Sequence, residues 1–341
     1  MKILHVHNMM IRNKGIMKFY SGRKFSNGII RNNHTLLEFS DRDLIRYLSP
    51  IGLRLVGRKK LQRQLIDTCV NFQPDLILLG HCELIENGTL NEIRELLPHV
   101  KIAHWFLDAL WIQHNIERLQ ARIPVVDAIF LTTDQAAKYL KHETNTMIEY
   151  IPNPIDPSED CLNNANLDNF ENDLLFCGLG RKSDYRFNFV NELDHILPKS
   201  IRFKKIGFYG QPPVWGEAYK NILSKSKMAL NLNGQEDWPL YSSDRIAQLM
   251  GNGILTFLWN KGEMKKIIPD NHALYFNTQE ELCEKIIYFH THDEERKKIA
   301  ASGYHHYHSH FSAERIIQYI IETTFQLPLT DDYLWQGESY V

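Results

Sequence analysis

The chain has no Cys-x-x-Cys pair and no stretch approaching the ~18 consecutive apolar residues of a transmembrane helix. Its five cysteines, Cys69, Cys82, Cys161, Cys177 and Cys283, are odd in number and scattered. That excludes a disulfide framework or a zinc knuckle and fits a reducing cytoplasm. An excess of charge of one sign is also lacking: the net charge is −2, so no global field holds the chain on nucleic acid or draws it to an anionic membrane. Residues 2–7 are too short and too polar an opening for a signal peptide. What is present is ordinary globular material, 43% hydrophobic and 23% charged. At 341 residues it exceeds what one core usually serves, which predicts two domains.

The apolar pattern restarts halfway. A buried strand at 2–6 is followed by a polar loop over 8–33, and short apolar runs at 75–80, 101–107 and 128–132 read as parallel strands covered on both faces. Helical patterns at 58–72 and 90–97 lie between them, and this β/α alternation predicts a doubly wound parallel sheet. Pro152, Pro154 and Pro157 stop the first domain, and an Asn-rich polar stretch over 158–173 reads as a linker. Strands at 174–178, 204–209, 228–231 and 253–258 then alternate with helices at 185–197, 217–225, 244–250 and 279–289, and an amphipathic helix over 312–325 closes the series. The reading assigns 1–155 to a first α/β domain, 156–173 to a linker, 174–325 to a second α/β domain and 326–341 to a tail.

Ordered motifs give this architecture a family likeness. Ile151-Pro152-Asn153-Pro154-Ile155-Asp156 resembles the Ile-Pro-Asn-Gly-Val-Asp turn that enters the C-terminal domain of retaining GT-B glycosyltransferases. The run from Asp244 through Arg245, Met250 and Gly251 to Gly253 resembles the Arg-x-x-Glu-x-Met-Ala-x-Gly segment of the CgeB-like, spore-maturation type. The resemblance implies a GT-B fold, two Rossmann-like doubly wound parallel-sheet domains facing a cleft. It further implies a nucleotide-sugar donor as co-substrate on the C-terminal domain, a glycan or lipid-linked glycan acceptor on the other, and no metal or other cofactor. Positive groups and a helix N-terminus would then stabilise the departing diphosphate.

Site expectations follow from strand ends, where open α/β sheets bind ligands. Gly178-Leu179-Gly180-Arg181-Lys182-Ser183 lies between a strand and a helix, so Gly180, Arg181 and Lys182 are candidates for a diphosphate cradle, the other reading being a solvated basic turn. After the 228–231 strand, Asn233, Ser242, Ser243, Asp244 and Arg245 are candidates for donor binding, with Gln248 toward the ribose. The other reading of this run is a polar loop with a Ser/Asp cap. On the acceptor side stand His7, Asn8 and His104, and Asp108, His81 and Asp237 are the candidates for proton transfer.

The family's paired glutamates would fall at Leu240 and Gln248, and neither position is acidic. That departure motivates an alternative: a non-catalytic nucleotide- or glycan-binding module on a degenerate GT-B scaffold. Asp41-Arg42-Asp43 matches the Asp-x-Asp metal signature of another fold but reads as a helix start, and the His305–His310 patch reads as a turn rather than a metal site. The expected location is cytoplasmic, with peripheral contact at the inner face of a membrane left open and no nucleic-acid partner.

Overall fold

The computed structural model describes residues 1–17, 21–49, 54–134, 140, 145–178, 183–207, 212–235 and 237–336. The chain forms two compact units: Met1–Pro154 together with Ala313–Val341, and Ile155–Ser312.

The first unit holds strands β1 (Lys2–Val6), β2 (Thr35–Phe39), β3 (Leu76–Leu79), β4 (Lys101–Phe106), β5 (Ala128–Leu131) and β6 (Met147–Tyr150) in one sheet. Their order is β2-β1-β3-β4-β5-β6, with every pairing parallel. β3 and β5 are buried along their whole length, as a strand covered on both faces must be. Helices α1 (Ser21–Arg31), α2 (Asp41–Leu48), α3 (Arg54–Phe72), α4 (Asn87–Leu96) and α5 (Gln113–Arg122) supply the covering layers.

The second unit holds β7 (Asn172–Cys177), β8 (Phe203–Ile206), β9 (Ser226–Asn231), β10 (Leu255–Trp259) and β11 (Leu274–Phe276) in the order β11-β10-β9-β7-β8, again all parallel. Its helices are α6 (Tyr185–Ile196), α7 (Gly216–Ser224), α8 (Asp244–Gly251), α9 (Gln279–Thr291) and α10 (Asp293–His310). Alternate residues serve opposite faces. Leu174, Phe176, Met228 and Leu230 pack with Val190, Leu193, Leu282 and Ile286 in one core, while Leu175 and Ala229 join Leu223 and Leu249 in the other. Both units are Rossmann-like, as expected.

Three expectations change. The polar stretch over 8–33 contains α1, whose Gly22 and Gly28 weakened the helical pattern. The 156–173 segment is not a free linker but part of the second unit. There Asn164 is fully buried and donates to Leu223 O (2.7 Å) and Ser226 O (2.9 Å), and the fully buried Arg296 donates to Asn164 O (3.0 Å) and Leu167 O (2.8 Å). Asn164 thus saturates backbone carbonyls rather than facing solvent. Finally, the last helix α11 (Ala313–Thr324) does not close the second domain. It packs on α1, β4 and β5 of the first unit, where its apolar stripe of Ile316, Ile317, Ile320 and Ile321 is buried.

Candidate functional site

In the second unit β8 and β9 lie on opposite sides of β7, so the crevice outside the C-terminal ends of β7 and β9 is the topological switch point. Arg245, in the first turn of α8, reaches into it. Its Nη1 donates to Asn231 Oδ1 (3.2 Å) and Leu232 O (3.0 Å), and the guanidinium stands over the Phe176 ring of β7 at 5.6 Å. A side chain at Gly178 would meet Nη2, so the absence of one leaves this edge of the guanidinium open. Burial works against its charged form, and no carboxylate among the described residues pairs with it.

Ser243 caps the same helix, its side chain accepting from Ile246 N, and its hydroxyl donates to Asn231 Oδ1 (3.2 Å). The first backbone N–H groups of α8 and the Arg245 fork therefore share one locality, the composition of an anion site. Asn233 borders it: its backbone carbonyl accepts from the Tyr185 hydroxyl (2.5 Å), and its side chain donates to Tyr241 O. Tyr185, Asn231, Asn233, Leu258 and Trp259 line a small adjoining cavity.

Other expected donor residues stand elsewhere. Ser242 is fully buried beside the Tyr307 hydroxyl. Gln248 donates to Asp244 Oδ2 at 2.7 Å, so the two side chains hold each other. Leu240, where the family's first glutamate would fall, is buried with a left-handed backbone (φ 48°) and presents no polar group. Arg186, not one of these candidates, pairs at the start of α6 with the N-cap residue Asp184 through Nε (3.0 Å) and Nη2 (2.5 Å). Asp237 is exposed on the loop beyond β9. Gly180, Arg181 and Lys182 lie outside the described residues.

In the first unit the strand order reverses between β1 and β3. Asn8 N donates to His81 O (3.0 Å), tying the two strand ends together. Trp105 packs below them. Its indole N–H donates to His5 Nε2 (3.0 Å), so the neutral His5 ring carries its proton on Nδ1 and donates it to Ser26 Oγ (2.9 Å). His81 stands edge-on to Trp105 at 5.2 Å, and a side chain at Gly80 would collide with the indole. His81 Nδ1 lies 3.7 Å from both Glu83 Oε1 and Asp108 Oδ2.

Arg118 of α5 clamps both carboxylates, donating to Glu83 Oε1 (2.6 Å) and Asp108 Oδ2 (3.3 Å), and Arg42 also pairs with Glu83. Burial would raise the Glu83 carboxyl, but its hydrogen bonds, to His81 and to its own backbone, and the Arg42 and Arg118 charges outweigh that and hold it far below the usual range. The structure brings His81 and Asp108 together, whereas His104 lies within β4 and is buried against Phe106. Arg118 was missed: it is ten residues from Asp108 and on another element, and no local spacing reveals it.

Four buried histidines make stability depend on pH, and burial holds His5 well below its ordinary value. Burial pushes His7 and His104 down to about 3 and His306 down to about 4. Each folded value lies below the unfolded ~6.5. The unfolded chain thus binds more protons between those limits, and the contribution is full above ~6.5 and lost as pH falls through the folded values. Asp41 opposes them. Burial raises it to about 6, so its contribution is full at acid pH and lost as pH rises through that value. With four groups against one, the unfolding free energy from urea titration should fall between pH 7.5 and pH 4.5, on the order of several kcal/mol. An unchanged value would show that these rings are not buried neutral.

The two discounted motifs are structural. Asp43 accepts Ile11 N and Arg12 N at 3.0 Å each, and Asp41 accepts Arg42 N (2.7 Å) and Leu84 N (3.2 Å). The histidine patch forms the end of α10 rather than a turn, with His306 Nε2 at 2.7 Å from Ile267 O and His308 Nε2 at 2.9 Å from Gly251 O. Among the described residues no group of three His, Cys, Asp or Glu side chains is placed to hold a metal ion.

Residues 174–322 match the family model described as glycosyl transferase-like. No curated protein matches the chain. Among solved structures, Anabaena HepE in complex with UDP and glucose superposes with a TM-score of 0.61 at 13% identity, covering 96% of this chain and 100% of that one. Sucrose-phosphate synthase from Thermosynechococcus elongatus gives a TM-score of 0.61 at 11% identity, covering 95% and 98%. The T4 phage β-glucosyltransferase gives 0.55 at 11%, covering 96% and 100%. The fold is that of the GT-B glycosyltransferases, two parallel-sheet Rossmann-like domains.

Proposed function

We propose that the protein is a nucleotide-sugar-dependent glycosyltransferase whose second unit binds the donor diphosphate through Arg245, Ser243 and the N-terminus of α8. The observation that carries the reading is the Arg245 guanidinium: it sits at the β7–β9 switch point with backbone and amide oxygens around it and no carboxylate partner among the described residues. A diphosphate supplies the missing negative charge, and the groups that bind it in the ground state stabilise it more as the glycosidic bond breaks. The match of this unit to the glycosyl transferase-like model supports the same reading, as does the capture of Anabaena HepE with UDP and glucose.

His81, held by Glu83 and Asp108, is the group of the first unit that positions the acceptor hydroxyl and takes its proton. The reaction we propose retains the anomeric configuration, uses a glycan or lipid-linked glycan as acceptor, and needs no metal or other cofactor beyond the nucleotide sugar. A thermal-shift screen of nucleoside diphosphates and their sugars tests the donor class. A ligand at 100 times its dissociation constant raises stability by about 2.7 kcal/mol. Release of nucleoside diphosphate on adding acceptor, with the product anomer read by NMR, then tests transfer. Binding without release would favour the non-catalytic alternative, and no stabilisation by any nucleotide would end both.

A further inference from the structure

Three consecutive residues at the start of α2 reach three different groups around the strand ends of the first unit. Asp41, fully buried, accepts Leu84 N (3.2 Å) with one oxygen and Arg42 N (2.7 Å) with the other, which pins the loop after β3 to the helix. Arg42 pairs with the Glu83 carboxylate on that same loop. Asp43 serves the other side. It accepts Ser40 Oγ (2.6 Å), Ile11 N and Arg12 N, and Arg12 Nη1 in turn donates to Asn8 Oδ1 (2.5 Å), a residue whose own N–H is tied to His81 O. Residues two apart on a helix point ~200° apart, so two carboxylates flanking one arginine can hold two loops at once.

Glu83 is gripped at both oxygens. Arg42 binds Oε2 and Arg118 binds Oε1, the oxygen that faces His81 Nδ1. The orientation of the carboxylate is therefore fixed, and its charge is met on both edges. The charged groups around the His81 ring come from several elements: Glu83 on its own loop, Asp108 beyond β4, Arg118 on α5, and Arg42 on α2 through Glu83. His7 and His104 also lie near the ring, and burial keeps both neutral. Two carboxylates thus stand against two guanidinium groups. Arg118 divides itself between both carboxylates, so the balance depends on Arg42.

We infer that Arg42 is a positioning residue for His81, orienting Glu83 and offsetting its charge, and that Asp41 and Asp43 hold the two loops at the spacing this contact needs. A nearby carboxylate favours protonation of an imidazole and a nearby cation opposes it. Arg42 therefore lets two carboxylates orient the ring without their full charge acting on it. Loss of Arg42 alone would leave one uncompensated negative charge within reach of Nδ1. The consequence for turnover rests on the reading of His81 as the base, whereas the consequence for the free ring rests on these charges alone.

The test is an NMR titration of the full chain without ligand, with the His81 ring signal identified by its disappearance in His81→Gln. In Arg42→Gln the midpoint of that signal should move up by ~0.5 pH unit or more, and Arg42→Lys, which keeps the charge, should recover most of the shift. A role confined to holding the fold would move neither. Asp41→Asn turns an amide N–H toward a backbone donor. It should speed hydrogen exchange at Leu84 by ~10-fold and move the His81 midpoint in the same direction, which keeps the test open should Arg42→Gln fail to fold. An unmoved midpoint in folded Arg42→Gln or in Asp41→Asn, or an equal shift in Arg42→Lys, would overturn the inference. A shifted midpoint beside wild-type turnover by His81→Ala would support this role for Arg42 and remove His81 as the base.

Discussion

Replacing Arg245 with Ala should weaken nucleoside diphosphate binding by ~100-fold, close to 2.7 kcal/mol on the scale of 1.4 kcal/mol per decade. The argument rests on where the charge sits. One guanidinium nitrogen is spent on Asn231 and Leu232, which fixes the fork, and Nη2 lies beside Gly178, which has no side chain to cover it. A preorganised cation of this kind meets a diphosphate through two parallel charge-assisted hydrogen bonds. Arg245→Lys should retain the charge but lose the fork, giving an intermediate loss of ~10-fold. Calorimetric titration measures both, with thermal melting as the control for the lost hydrogen bond to Leu232 O. Equal affinity in wild type and a folded Ala variant would remove Arg245 from the donor site, and turnover should fall in parallel with affinity.

The second large effect belongs to the other unit. His81→Ala should lower kcat by ~10²–10⁴-fold while leaving the nucleotide dissociation constant unchanged, because general base catalysis contributes on that scale. The ring is placed by its surroundings: Gly80 admits the Trp105 indole beneath it, and the Glu83 and Asp108 carboxylates face Nδ1 at 3.7 Å. Asp108→Asn should keep the geometry and cost less than loss of the ring, since Glu83 still faces Nδ1. If His81→Ala turns over within a factor of ten of wild type, the base lies elsewhere, and the exposed Asp237 is the next residue to replace. Steady-state release of nucleoside diphosphate separates the two parameters.

The parallel sheets were legible in the sequence because strands covered on both faces write themselves as short apolar runs. β3, β5 and β9 are buried throughout and were placed within one or two residues of their ends. α8 was legible through its cap, with Ser243 before Asp244 and an apolar face beyond. What escaped depended on distance along the chain. α1 was masked by glycines that exist for close approach, Gly22 to the His7 ring and Gly28 to the backbone of Ala313. The buried Asn164 read as part of a polar linker until its carbonyl partners on Leu223 and Ser226, far along the chain, were known.

The same reason divides the candidate site. Arg245 and Ser243 project from one helix turn, and their joint position follows from the order of residues. Ser242 and His104 could not be placed that way, because a neighbour or the next strand decides whether a polar group is turned inward. Arg118 joins Glu83 to Asp108 only after β4 and α5 have been laid beside β3.

One feature of the chain's path bears on how the protein is made. The first unit lacks a layer of its core until α11 arrives, and α11 follows every residue of the second unit. During synthesis the ribosome must therefore release the second unit in full before the first can be completed. Until then the surface over β4 and β5 that α11 covers stays open, and early folding falls to the unit whose contacts close within an uninterrupted stretch of sequence.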